Sequence, residues 1–310
     1  MKKPNLPSAD AAHARGILQI SLAAALWGSL GVAGRFAFDA GLTPLAVAFY
    51  RATIAFVVVA AATSLTDPTR LRIRRGDVLL FGLFGLISIA IFFYVYLFAI
   101  SKTTVATAAI LLYTAPAWVL ILSRPIFGEP LTPPKLAAVA LAFAGCVLVV
   151  RGYDFAALRP TLPGTLAGLA SGFTYALYSI FGKTALRRYP PQTTLTYALG
   201  IGSVFLGAMT YATGQFDAAA LRAGWPMVVY LGLVTTLLAQ FLYLSGLREV
   251  EAGRASLVAT LEPVVAAVLG YVLLRERLDL LQAIGGAAVL SGIVVVRRLP
   301  VPPAELPPAG

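Results

Sequence analysis

One cysteine, one histidine and thirteen acidic residues in a chain of 310 leave little from which to build a catalytic centre. Cys146 stands inside an apolar run, so neither a disulfide framework nor a cysteine metal site can form, and His13 precedes the first apolar stretch. A single histidine excludes an HExxH zinc site, and the chain holds no GxSxG elbow, Walker loop or Cys/His pair. No cofactor is implied. Charge is scarce as well: 12% of residues are Asp, Glu, Lys or Arg, about half the share in soluble domains. An intramembrane enzyme would need a paired nucleophile and base or a metal set, and the inventory offers neither.

What the chain has instead is apolar length. Hydrophobic residues make up 59% of it, with a mean hydropathy of +0.85. They fall into runs long enough to cross about 30 Å of hydrocarbon as helices, which predicts an all-α polytopic membrane protein seated in a lipid bilayer. The expected spans are 16–37, 44–64, 78–100, 103–123, 136–150, 164–185, 193–213, 226–247, 252–273 and 280–296. The small-residue run at Ala23 to Ala25 suits a signal-peptidase site, yet the apolar stretch continues past it, so the first helix is read as retained. The net charge of +11 does not mark a nucleic-acid surface, because the basic residues sit in short loops between apolar runs. Outside the spans, fifteen Lys and Arg fall on the side of the two termini and six on the other. This bias predicts cytoplasmic termini.

The sequence repeats itself. At an offset of 147 residues, Pro116 answers Pro263, Glu129 answers Glu276, Leu131 answers Leu278 and Gly145 answers Gly292; at 148, Gly16 answers Gly164 and Gly34 answers Gly182. The chain therefore divides into a tail (1–15), a first five-helix repeat (16–151), a linker (152–162), a second repeat (163–298) and a Pro-rich, disordered tail (299–310). Five is odd, so the second copy must enter the membrane from the opposite side. Ten helices in two inverted repeats are an architecture of secondary transporters, which expose a central site alternately to the two sides.

Several dispersed motifs carry a family resemblance: Leu26 to Ser29 (LWGS), Phe49 to Arg51 (FYR), the TAP and LEP openings of the fourth and ninth helices, and the GEPLT and RERLD turns before glycine-spaced helices. Over residues 16–298 the chain resembles the EamA-type members of the drug/metabolite transporter superfamily, and among them the aromatic amino acid exporters. The resemblance implies ten helices and amino acid efflux across a bacterial inner membrane. The related small multidrug transporters depend on a glutamate in helix 1, and none lies between Gly16 and Gly34 here. Proton-coupled export of cationic drugs is thus disfavoured.

Aromatic residues gather on helices that the repeat pairs: Trp27, Tyr94, Tyr113, Trp118, Tyr175, Tyr178 and Tyr243. Most lie near the bilayer middle, away from the interfacial belts. A Tyr hydroxyl at that depth needs a partner or a wet cavity. Gln240, with Thr235 and Thr236 about a turn away, can hydrogen-bond a zwitterion or glue helices together. Two ionisable groups lie deep, Arg51 and Glu262, either as a structural pair or with Glu262 as a coupling acid. Pro116 and Pro263 are candidate hinges, or plain kinks. Glycines at 164, 168 and 172 and at 28, 31 and 34 form small-residue ridges, read either as a moving contact between helices 1 and 6 or as static packing. No deep Lys/Arg cluster exists to bind a phosphorylated sugar. A neutral or zwitterionic small molecule fits best, with the helices 1, 3, 4, 6, 8 and 9 around it and 5 and 10 as scaffold. The expectation is a monomeric amino acid exporter; efflux of other small metabolites or drugs is the alternative.

Overall fold

The structure, a computed structural model, describes residues 9–103, 105–156, 158, 160–275 and 278–299, and every regular element among them is helical. Where no water reaches, a chain can satisfy its own backbone only in a helix or a closed barrel. The first rod is α1 (Ala9–Gly28) and α2 (Leu30–Asp39), broken at Ser29. Thr43 caps α3 (Pro44–Thr66) by accepting the Ala46 amide at 3.2 Å. Next come α4 (Val78–Gly85), a π-helical segment (Leu86–Ile91) and α5 (Phe92–Lys102) in one line. A second broken rod, α6 (Val105–Leu112) and α7 (Ala115–Phe127), ends at left-handed Gly128 and leads to α8 (Pro133–Val149). Then follow α9 (Leu162–Leu186), α10 (Pro191–Ala212), and α11 (Ala218–Tyr230) joined through a π segment (Leu231–Leu238) to α12 (Ala239–Glu249). The chain closes with α13 (Ala252–Ala259) and α14 (Leu261–Leu274), broken at Thr260, and α15 (Leu280–Arg297).

Eight helical stretches are long and apolar enough to span a bilayer: Asp10–Asp39, Pro44–Thr66, Arg75–Ile100, Thr107–Phe127, Pro191–Ala212, Ala218–Glu249, Ala252–Leu273 and Leu280–Arg297. The 17-residue α8 is shorter, and α9, with its glycines and hydroxyls, is not among the eight. Large apolar side chains cover the exterior, among them Leu79, Val204, Val272 and Leu166. Such a surface suits lipid. The chain is a multi-pass membrane protein.

Some expected boundaries move. Helix already begins at Ala9 within the expected 1–15 tail, and Thr161 caps α9 at Leu162. The expected start at residue 226 gives way to Ala218, because the Asp217 carboxylate accepts the Ala219 and Ala220 amides at 2.8 and 2.9 Å and Pro226 is absorbed inside the helix. Beyond Leu299 the expected C-terminal tail lies outside the described residues, as do Glu276 and Arg277 of the second turn.

The irregularities recur with the repeat. The 147-residue offset carries Leu86–Ile91 onto residues 233–238, inside the second π segment, and carries Tyr113, at the α6/α7 break, onto Thr260. Each of those breaks lies three residues before a proline, Pro116 or Pro263, whose ring removes a hydrogen bond and crowds the carbonyl four residues back. The break at Ser29 has no such mate: the corresponding stretch of α9 is unbroken.

Glycine sets the closest crossings. Between α8 and α15, a Cβ on Gly145 would stand 2.7 Å from the Gly285 carbonyl oxygen, and one on Gly285 equally near that of Gly145. Gly16 and Gly246 do the same for α1 and α12. The ridge at 164, 168 and 172 packs on Thr103, Leu111 and Thr114, so it faces α5, α6 and α7 and not α1. Of the ridge at 28, 31 and 34, only Gly28 is in tight contact, against Val265 of α14; Gly31 has open space around it.

The end of the bundle that carries the termini is knitted by polar groups. Glu129, just past α7, accepts the Ala252 and Gly253 amides at 2.6 and 3.0 Å and so caps α13, with the Lys183 ammonium 4.0 Å away. Beside it, Glu251 holds buried Lys135 at 2.9 Å and buried Arg254 at 2.6 Å. Asp77 accepts from Arg188 and from the Tyr189 hydroxyl, while Thr193 and Tyr197 donate to the carbonyls of Arg70 and Leu71. At the opposite end the Tyr153 hydroxyl donates to Asp279, which also caps α15; together with Arg151 this holds that carboxyl below its usual range.

Two outcomes follow for stability. Gly145→Ala should cost about 1–3 kcal/mol by forcing α8 and α15 apart, whereas Gly31→Ala should gain a few tenths to about 1 kcal/mol; thermal unfolding in detergent reads both, and equal melting points would contradict the crossing. Glu129→Ala should cost about 2–4 kcal/mol, since it strands two amides and the Lys183 charge, with Glu129→Gln in between.

Candidate functional site

Four helical rods bring aromatic side chains together in the middle of the bundle. The Trp27 ring on α1 lies 5.2 Å from Tyr243 on α12, which is 6.0 Å from Tyr178 on α9; Tyr178 in turn meets Phe84 on α4 edge-on at 5.1 Å. The Tyr243 hydroxyl and the Ser179 hydroxyl share a hydrogen bond of 2.7 Å. All three predicted members of this layer are buried. About one helical turn along α9, Tyr175 meets Phe92 of α5 at 5.3 Å, and Phe92 stacks on Tyr96 at 6.0 Å. This second layer is only half-buried, as is Tyr113 at the α6/α7 break. The difference orients the site: it tightens toward the end that carries the termini and loosens toward the other.

Charge enters at the second layer. Arg51 of α3 is buried, with its guanidinium 4.9 Å from the Phe93 ring and its Nε without a hydrogen-bond partner. Glu262, in the first turn of α14, is half-buried and lies within electrostatic reach of Arg51, Tyr96, Tyr113 and Tyr175. The two charges, on α3 and α14, therefore act on each other electrostatically. Pro116 and Pro263 are buried in the first turns of α7 and α14, just after the breaks. They shape the breaks beside Tyr113 and Glu262.

Polar atoms without partners mark the same region. Gln240 is buried and its Oε1 accepts nothing; the hydroxyls of Tyr178 and Ser88 are likewise buried and unpartnered. A buried acceptor left unpaired costs about 1–3 kcal/mol, so such atoms suit a site that a ligand or water completes. Thr235 and Thr236 behave otherwise. Both donate to the Leu231 carbonyl, at 2.9 and 2.8 Å, because the π segment leaves that oxygen short of its helical partner. Their hydroxyl protons serve the backbone.

Not every predicted residue joins the cluster. Tyr94 is 50% exposed and stacks on Phe98 on the outer surface of α5. Its neighbours Phe92 and Phe93 face inward in its place, which the run FFYVY alone does not decide. Trp118 is half-buried and packs edge-on against Phe173 at 5.4 Å, a contact on the periphery of α9. Phe84, Ser179 and Ser88 were not singled out from the sequence. A Ser one position after an inward Tyr carries no pattern of its own; the position of Ser88 depends on the π turn, which shifts every later side chain of the rod. Among the described residues no cluster of metal ligands occurs.

Comparison with known proteins agrees with this picture. A solved structure superposes on 91% of this chain and 96% of its own with a TM-score of 0.79 at 21% identity, which shows a shared fold. A transporter of Archaeoglobus fulgidus is 32% identical over 286 residues, 91% of this chain and 96% of the relative. A protein of Streptantibioticus cattleyicolor described as a "probable terminal-alkyne amino-acid exporter" is 25% identical over 92% of this chain and 94% of its own length. The model of the EamA-like transporter family matches twice, over residues 14–151 and again over 162–298. With a polytopic helical fold, a mid-membrane polar site and two matches that span nearly its whole described length, the chain belongs to the EamA-like transporter family.

Proposed function

We propose that this transporter exports amino acids, aromatic and other neutral or zwitterionic ones, by alternating access across the bacterial inner membrane, with both termini cytoplasmic. The observation that carries the reading is the placement of Glu262 within electrostatic reach of Arg51 and of the Tyr96, Tyr113 and Tyr175 side chains, beside the aromatic layers. An α-amino acid presents a carboxylate, an ammonium and a side chain; Arg51 suits the first, Glu262 and the ring faces the second, and Trp27, Tyr178 and Tyr243 the third. The Gln240 carbonyl offers a further acceptor for the ammonium. The amino-acid exporter among the relatives supports the substrate class.

Ten crossings in two inverted repeats agree with the double family match and with the matched π segments and breaks. The buried layer and the Glu129 cap would then form the closed cytoplasmic gate, and the half-buried layer the vestibule open to the other side. In the opposite state the gate at α7, α9 and α13 separates while the α6/α7 and α13/α14 breaks carry the movement. Monomers suffice for this motion. A second reading, efflux of other small metabolites or drugs, draws on the low share of fixed polar groups in the aromatic layers.

Counterflow in proteoliposomes loaded with unlabelled amino acids tests the proposal. Labelled tryptophan or phenylalanine should accumulate, and failure of every amino acid tried would reject the substrate class. Accumulation indifferent to an imposed pH gradient would leave Glu262 a binding group, and dependence on the gradient would make it the coupling acid. Gln240→Ala and Trp27→Ala should each lower the rate about tenfold at unchanged protein level; Tyr94→Ala should not. A loss at Tyr94 with none at Gln240 would contradict the placement of the site.

A further inference from the structure

A groove of about 610 Å3 opens at the terminus-bearing end between α1, α10 and α12, away from the aromatic site. Arg15, Arg70, Arg248 and Glu249 line it, together with Gln19 and Gln192. The charges do not cancel. Arg15 pairs with Glu249 at 3.1 Å and Arg70 with Asp67 at 2.9 Å, while Arg248 makes no ion pair among the described residues, so one positive charge is left over. Two further features point to an absent partner. The Oε1 atoms of Gln19 and Gln192 are both buried without a hydrogen bond. The 22-residue α10 begins at the groove, on Pro190 and Pro191, with no side-chain cap, so its positive dipole end lies beside the groove.

We propose that this groove binds the headgroup of an anionic glycerophospholipid drawn from the adjoining leaflet. A phosphodiester carries one negative charge, which Arg248 balances, whereas a free phosphomonoester brings nearly two. Hydroxyls on the headgroup supply the donors that Gln19 and Gln192 lack. A glycerol headgroup meets both needs; a choline headgroup has no donor, and an ethanolamine headgroup brings a cation toward three arginines. The acyl chains have a path as well: Leu18 and Leu22 of α1 and Leu238 at the end of the second π segment are exposed on the bundle surface, and Phe241 lines the groove itself. Basic pockets between helices at a membrane interface recognise lipid headgroups on these terms.

The test uses the full chain, delipidated in an uncharged detergent, with native mass spectrometry to count bound lipid and thermal unfolding as a second readout. Phosphatidylglycerol should bind one to one, about tenfold tighter than phosphatidylcholine, with phosphatidylethanolamine between. Arg248→Gln and Gln192→Leu should each erase most of that preference; the melting point of each variant without lipid shows that it is folded. Equal binding of phosphatidylglycerol and phosphatidylcholine, or an unchanged preference in both variants, would overturn the proposal. Displacement of the lipid by an equimolar amount of free glycerol phosphate would overturn it too, by assigning the groove to a soluble phosphate.

Discussion

Water is missing from the middle of a bilayer, and every polar atom placed there must find its partner inside the protein. Most of this chain meets the constraint in the plainest way, with unbroken helices such as α3, α10 and α15. The exceptions are concentrated: two π segments, breaks at Ser29, Tyr113/Thr114 and Thr260, and the prolines that follow two of them. These irregular turns surround the aromatic layers, Arg51 and Glu262. Backbone that departs from the helix is tolerated at depth where it borders a cavity or buried polar groups, so the cluster of irregularities and the cluster of aromatic and charged side chains have one cause.

The two ends of the bundle differ in kind. At the terminus-bearing end the seal is electrostatic and directional: a carboxylate caps a helix, buried cations flank it, and a Tyr–Asp–Arg set ties the first hairpin loop to α9. At mid-depth the seal is aromatic and tilted, with Trp27, Tyr178 and Tyr243 in contact at 5.2 and 6.0 Å. Directional bonds of this type hold one arrangement well and no intermediate one, which favours two discrete states over gradual opening. The glycine crossing of α8 with α15 stands apart from both sets of contacts.

Much of this was legible in the sequence, and the rest was hidden for definite reasons. Hydropathy located the apolar rods because the bilayer imposes their length. The 147-residue offset foretold that Pro116 and Pro263 occupy like places, and the breaks beside them match. Repeat pairing and depth together singled out Trp27, Tyr178, Tyr243 and Gln240, all of which the fold buries. It could not select between Tyr94 and its neighbours Phe92 and Phe93, since a π turn four residues upstream rotates the whole helix face and no side-chain pattern announces it. The bonds of Thr235 and Thr236 were hidden for the same reason: the same kind of turn exposes a carbonyl to which their hydroxyls donate. Glu129 was visible as a repeat marker, but its capping role depends on an end of α13 that is distant by more than a hundred residues.

Access to the site is the most direct measure of what the structure is for. With Cys146 replaced by Ser, a single cysteine at Tyr113 or at Gln240 can be probed with a membrane-impermeant thiol reagent from each face of oriented vesicles. Tyr113→Cys should react from the face opposite the termini in the resting protein, Gln240→Cys should stay protected there, and an amino acid supplied on one side should move reactivity at both positions toward the other. Positions that stay sealed from both faces, with and without substrate, would contradict alternating access around this cluster and leave it a packed core.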